Sequence, residues 1–182
     1  MPNIGVAVGL PEPWASQLRE FRTALGDPTA ESIPSHITLV PPTYLELAEL
    51  PDLHRQLSAA AKTCAPFRIH LRGTGTFRPI SPVVFIALAE GISGCEALAN
   101  AVRRPPLDTP LKFPFHPHVT VAHHLSEQAM DRAFSELASF ECAFDCAEFH
   151  LYVHDPASGW EKVHRYRLRA PDHVTLAAPV SL

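Results

Sequence analysis

Two short segments of this chain carry the same pair of reactive side chains. In Ser35-His36-Ile37-Thr38-Leu39-Val40 and in Phe115-His116-Pro117-His118-Val119-Thr120-Val121, a histidine is followed two residues later by a threonine, with aliphatic residues between and after. Alternation of this kind marks a strand with one buried face. Side chains at i and i+2 leave the same face, so His36 points with Thr38 and His118 with Thr120, while Ile37, Leu39, Val119 and Val121 turn to a core. Each copy is an imidazole beside a hydroxyl on an anchored strand.

Used twice, that pair suits phosphoryl transfer. The reaction calls for a base at the attacking oxygen, an acid at the leaving oxygen, and donors for the remaining phosphoryl oxygens. Histidine, with a free pKa of roughly 6.5, fills either proton role near neutrality. A lone His-x-Thr reads most simply as a sheet residue with a satisfied ring. Two copies, each followed by a hydrophobic residue and then a helix, read as two halves of one pocket.

The elements that must position them form a repeat: strand, helix, His-Thr strand, helix, strand, in that order twice. Residues 3–10 read as the opening strand, followed by a helix with Trp14, Leu18, Phe21 and Leu25 inward and Gly26 as its stop. Pro41-Pro42 are expected to end the first His-Thr strand. Pro51 then suits the first turn of a helix burying Leu53, Leu57, Ala60, Ala61 and Cys64. Phe67 to Arg72 alternates as a half-buried strand, and Gly73 to Phe77 reads as a turn. In the second half, Val83 to Ala89 is a strand and Ser93-x-x-Glu96 a capping box. Ser126 caps the fourth helix, with Leu125 and Met130 as a hydrophobic staple. Glu148 to His154 and Trp160 to Leu168 are strands, with a short one near Val174–Leu176. The expected fold is α+β: one domain over 1–182 with two pseudo-symmetric lobes, each an antiparallel sheet with helices on its outer face, and an active-site cleft between them. An internal duplication would divide it into halves of roughly 1–78 and 79–182.

Composition narrows the function. No run approaches the roughly 20 apolar residues of a membrane span, and Met1-Pro2-Asn3-Ile4 lacks the features of a signal peptide. A cytoplasmic protein that needs no membrane is expected. Cys64, Cys95, Cys142 and Cys146 form no Cys-x-x-Cys pair and read as free thiols of a reducing compartment. The net charge of −4 gives no basic stripe for an extended duplex. Local clusters at Arg68, His70 and Arg72, at Arg103-Arg104, and at Arg165, Arg167 and Arg169 fit a small phosphorylated ligand or a nucleic-acid end. His70 and Arg72 would bind phosphate or ribose if their strand face lines the pocket, and serve only solubility if it faces water.

His36-Ile37-Thr38-Leu39 and His118-Val119-Thr120-Val121, the latter introduced by Phe115 and Pro117, resemble the twin motifs of the two-histidine phosphoesterases, which include 2′-5′ RNA ligase-like proteins and RNA 2′,3′-cyclic phosphodiesterases. Where many members carry an arginine just after the second motif, this chain has His123. A monomer without a cofactor is expected, and the resemblance implies a metal-independent enzyme that opens a 2′,3′-cyclic phosphate of a small nucleotide or an RNA 3′ end to the 2′-phosphate. It implies His36 and His118 as the catalytic pair, with His118 as base and His36 as acid, and Thr38 and Thr120 as donors to the phosphate. In reverse, the same groups would join RNA ends through a 2′-5′ linkage. The resemblance also places aromatic residues of the last hairpin at the ligand's base or sugar, and Tyr152 and Trp160 are the candidates. From the residues alone, near-twofold symmetry leaves the acid and base roles interchangeable.

Two other readings stand beside this one. The cluster His116, His118, His123 and His124 could serve a metal-dependent hydrolase, since His116 and His118 share one strand face. Against it, Pro117 distorts that strand and no acidic residue lies within the cluster. Alternatively, the His-Thr pairs could recognise a phosphate or an RNA end without turnover.

Overall fold

The computed structural model describes residues 1–169; the strand expected near Val174–Leu176 lies outside them. Strand β1 (Asn3–Gly9), helix α1 (Trp14–Ala24), strand β2 (His36–Tyr44), helix α2 (Leu50–Thr63) and strand β3 (Phe67–Thr76) are followed by β4 (Val83–Glu90), α3 (Ile92–Val102), β5 (His118–His123), α4 (Glu127–Glu136) and β6 (Glu141–Cys146). The hairpin β7 (Glu148–Asp155) and β8 (Gly159–Arg167) closes the described chain. The architecture is α+β, with strand, helix, strand, helix, strand occurring twice before that hairpin.

All strands pair antiparallel in the order β6-β3-β4-β5-β2-β1-β7-β8. Four strands lie on each side of the β5/β2 junction, where the only register pair is Ile37 with Val119. These are the two lobes: β3, β4, β5 and β6 all come from the middle of the described chain, while β7 and β8 return to extend β1 and β2 from its start. Ile37, Leu39, Val119 and Val121 are at most 1% exposed, each burial stabilising by about 1.5–3 kcal/mol. The intervening His36, Thr38, His118 and Thr120 stay partly exposed. Helix α4 covers β3, β4 and β5, α3 lies against β2 and α2, and α2 reaches β8. No described helix is long and apolar enough to cross a membrane.

Local expectations held where one residue type decided the geometry. The Ser126 hydroxyl accepts the Ala129 N–H at 3.2 Å and caps α4, Pro51 sits in the first turn of α2, and all four cysteines are free thiols. Three others are corrected. Helix α3 starts two residues earlier than a Ser93–Glu96 capping box requires, because Gly91, at φ +96°, serves as its cap. A β-carbon there would lie 2.6 Å from the Arg68 carbonyl, so the close approach of β3 demands glycine. Pro41 and Pro42 do not end β2, which runs on to Tyr44. Past Val40 it pairs with β1 only, through an irregular register, so the missing N–H groups cost no ladder bond on the other side. Residues 73–76 are not a turn but the end of β3, where an irregularity between Leu71 and Thr74 absorbs the glycines and pairing with β4 resumes.

Candidate active site

The register at the lobe junction decides which side chains meet. With Ile37 opposite Val119, antiparallel pairing sets His36 across from Thr120 and Thr38 across from His118, all four on the face turned away from the helices. A local twofold axis through the Ile37–Val119 pair relates the two imidazole-hydroxyl pairs.

Both rings are oriented in the same way. His36 Nδ1 lies 2.7 Å from the Pro34 carbonyl oxygen and His118 Nδ1 lies 2.7 Å from that of His116, in each case two residues upstream. A carbonyl can only accept, so both Nδ1 atoms carry hydrogen and both Nε2 lone pairs are left for chemistry. His36 Nε2 accepts the Thr38 hydroxyl at 3.1 Å; His118 Nε2 has no hydrogen-bond partner among the described residues. Burial holds the pKa of each histidine below its ordinary value, opposed by the backbone carbonyl; the positive charge of Arg22 lowers His36 further, as His116 and His36 do for His118. Each ring is therefore an available base, and its cation needs an anion nearby.

The space beside the pairs is unequal. On β1, Ala7 lies opposite Thr38 and Gly9 opposite His36; with Gly5 they form a strip of small side chains. At the equivalent places on β4, Phe85 lies opposite Thr120 and Ala87 opposite His118. The Phe85 ring, with Phe77, stands 5.1 Å from the His118 ring. Aromatic side chains thus fill one side, and the other is a cleft of about 310 Å³ over β1 that reaches His36, Thr38, Thr120, His123, Tyr152 and Trp160. Its size suits a small nucleotide-like ligand. Trp160 lies along its wall, and a β-carbon on Gly5 would stand 3.4 Å from its Cζ3.

A buried ion pair closes the end of the cleft. Arg22 of α1, 5% exposed, donates from Nε to Asp27 Oδ2 at 2.8 Å, from Nη1 to the Ile33 carbonyl at 2.6 Å and from Nη2 to Thr29 Oγ1 at 3.2 Å. Asp27 Oδ1 in turn accepts the Thr29 backbone N–H at 2.8 Å and its hydroxyl at 2.7 Å. Burial alone would raise the Asp27 pKa, but the bonds from Thr29 and Arg22 outweigh it and hold the carboxyl below its usual range. The network fixes the loop whose next carbonyl, that of Pro34, orients His36. His123 faces the same cleft, with its cation disfavoured by burial and by His124 and favoured by Asp27.

Of the residues singled out from sequence, His36, Thr38, Thr120, Tyr152 and Trp160 line the cleft, and His118 stands across the junction from Thr38, beside Phe77 and Phe85. The structure does not bring His70 and Arg72 to the cleft. They lie on β3, two strands beyond β5, where His70 Nε2 meets Glu141 Oε1 at 2.7 Å and Arg72 is exposed. Among the described residues, no three His, Cys, Asp or Glu side chains are grouped to hold a metal. Arg22, Asp27, Phe77 and Phe85 escaped sequence reading. An arginine among apolar helix positions gave no sign of its burial; the Asp27-x-Thr29 spacing of a side-chain turn after the Gly26 helix stop was the available hint.

Comparison with known proteins points to one family. The family description "2′-5′ RNA ligase superfamily" matches residues 10–158. A protein of Halalkalibacterium halodurans, provisionally named a phosphoesterase, is 32% identical over 124 residues, covering 68% of this chain and 71% of its own. A crystal structure from Thermus thermophilus superposes with a TM-score of 0.64 at 26% identity, over 92% of this chain and 98% of that one. E. coli LigT, complexed with 3′-AMP, superposes with a TM-score of 0.63 at 22% identity, over 92% and 98% of the two chains.

Proposed function

The chain belongs to the 2′-5′ RNA ligase superfamily, and on that footing we propose that it is a cyclic phosphodiesterase that hydrolyses a nucleoside 2′,3′-cyclic phosphate to the 2′-phosphate with His36 and His118. Membership carries phosphoester hydrolysis or ligation in general. The observation that supports the narrower reading is the shared Nδ1-to-carbonyl bond of the two histidines, which turns two basic Nε2 atoms to one face.

Water attacks phosphorus as His118 Nε2 removes its proton, and the bond from phosphorus to O3′ breaks as protonated His36 gives its Nε2 proton to that oxygen. The 2′-phosphate remains, and the two histidines end with their protonation states exchanged. His118 suits the base because its Nε2 has no partner among the described residues, open to a water. Thr38 turns its hydroxyl from His36 Nε2 to a non-bridging oxygen, and Thr120 does the same from across the junction. The nucleoside lies over the Gly5, Ala7 and Gly9 strip with its base on Trp160. Run backwards with a 5′-hydroxyl in place of water, the same steps form a 2′-5′ linkage; abundant water and release of ring strain favour hydrolysis.

The test is to incubate chelator-treated protein with adenosine 2′,3′-cyclic phosphate and separate the 2′- and 3′-phosphate products. The 2′-phosphate alone is expected. No product, or product that appears only when metal is restored, overturns the proposal.

A further inference from the structure

At the end of β1, two polar groups converge on a position that has no side chain. A β-carbon on Gly9 would stand 3.3 Å from the Tyr152 hydroxyl and 3.9 Å from Lys162 Nζ. Gly9 is the register partner of His36, and Tyr152 and Lys162 are partners across β7 and β8, so the two groups lie against the backbone position that pairs with the reacting histidine.

Neither group is used by the fold. Tyr152 is only 5% exposed, yet its hydroxyl has no hydrogen-bond partner among the described residues and it faces the cleft. The hydroxyl is open to the cleft and not sealed in the core, so it is free to donate to a ligand there. Burial pushes its pKa up to about 12, so it remains a donor across the physiological range. Lys162 has no carboxylate partner among the described residues, whereas its neighbour Arg165 is shared with Glu148 at 3.8 Å. The Lys162 charge is felt nearby: after burial, it is the next influence holding the His150 cation down. An uncompensated ammonium and an unpaired donor that both lie against the Gly9 position, at the edge of the cleft, select an anion.

We propose that Tyr152 and Lys162 form a second anion subsite, which binds the phosphate on the 5′ oxygen of a nucleoside whose cyclic phosphate lies at His36 and His118. This rests on the function proposed above and narrows its substrate to a cyclic phosphate bearing a second phosphate, either a 5′-monoester or the 5′-linked phosphodiester of an RNA end. A side chain at position 9 would crowd the Tyr152 hydroxyl, and glycine leaves that donor unobstructed.

Calorimetry at low salt tests the subsite without turnover. The wild-type protein binds adenosine 2′,5′-bisphosphate about tenfold or more tightly than adenosine 2′-monophosphate, as a charge-assisted contact provides. Lys162→Met abolishes that preference and Tyr152→Phe, which keeps the ring, diminishes it. Equal affinity of the wild type for the two ligands, or a preference that survives Lys162→Met, overturns the subsite. A dinucleotide ending in a 2′-phosphate separates the sources: binding that matches the bisphosphate identifies an RNA end, and binding that matches the monophosphate identifies a 5′-monoester. Failure to hydrolyse adenosine 2′,3′-cyclic phosphate that also carries a 5′-phosphate, while the preference persists, would reject the hydrolase reading and leave the subsite standing.

Discussion

Ile37 pairs with Val119 across the junction of β2 and β5, and this one contact sets the register of both histidine-threonine pairs. A slip of one residue would turn each reactive side chain into the core and each aliphatic one out. Burial of Ile37 and Val119 therefore does for the site what a longer ladder does in an ordinary sheet.

The pH dependence follows from the depressed pKa values of His36 and His118. Hydrolysis needs one neutral and one protonated ring, so kcat/KM is bell-shaped. With both values below 6.5 in the free enzyme, the alkaline limb begins on the acid side of 6.5 and activity falls as pH rises through neutrality. The same shifts act on stability. These histidines bind protons more readily when unfolded, so their contribution is full above about 6.5 and is lost as pH falls through the lower folded values. Initial rates and chemical denaturation across pH 4.5–8.5 check both, and a rate still rising above pH 7 would contradict the first.

Arg22 is predicted to be the most sensitive polar residue outside the histidine pair. Arg22→Met leaves the carboxylate of Asp27 buried without its partner and frees the Ile33 carbonyl, and breaking a buried pair costs about 3–5 kcal/mol. Arg22→Met/Asp27→Leu should recover much of that stability without recovering activity, because the Pro34 carbonyl that orients His36 is no longer held. Denaturant melts and turnover of the single and double variants measure the two effects separately.

Much of this site was legible in the sequence, and the part that was not has a physical reason. The histidine-threonine pairs could be read because the period of a strand fixes the direction of each side chain without knowledge of the partner strand. Tyr152 and Trp160 came from the family resemblance, which places aromatic residues of the last hairpin at the ligand. His70 and Arg72 met the same period-two test, but periodicity gives the face of a strand and not its distance along the sheet, and β3 lies two strands from β5. The asymmetry between Ala7 and Phe85 is a property of register pairs between strands distant in sequence. The Arg22 network depends on a loop returning to α1. Pro41 and Pro42 misled because a proline's cost depends on whether the neighbouring strand needs its N–H.

The small strip on β1 is predicted to admit the nucleoside. Ala7→Phe places on β1 the residue type that β4 carries opposite Thr120, so it should raise KM strongly while the protein stays folded by circular dichroism. Trp160→Ala should weaken binding of nucleotides by about 1–3 kcal/mol, the range for loss of one base–aromatic stack, with little change in affinity for inorganic phosphate. Calorimetry with adenosine 2′-monophosphate and with phosphate makes the comparison.

The central claim is that two histidines from separate lobes act as one catalytic unit, and a kinetic double-mutant cycle tests it most directly. His36→Ala and His118→Ala should each lower kcat on adenosine 2′,3′-cyclic phosphate by about 10²- to 10⁴-fold, and the double variant should be little slower than the worse single one. Losses that simply multiply, or a single variant that retains full turnover, would contradict it.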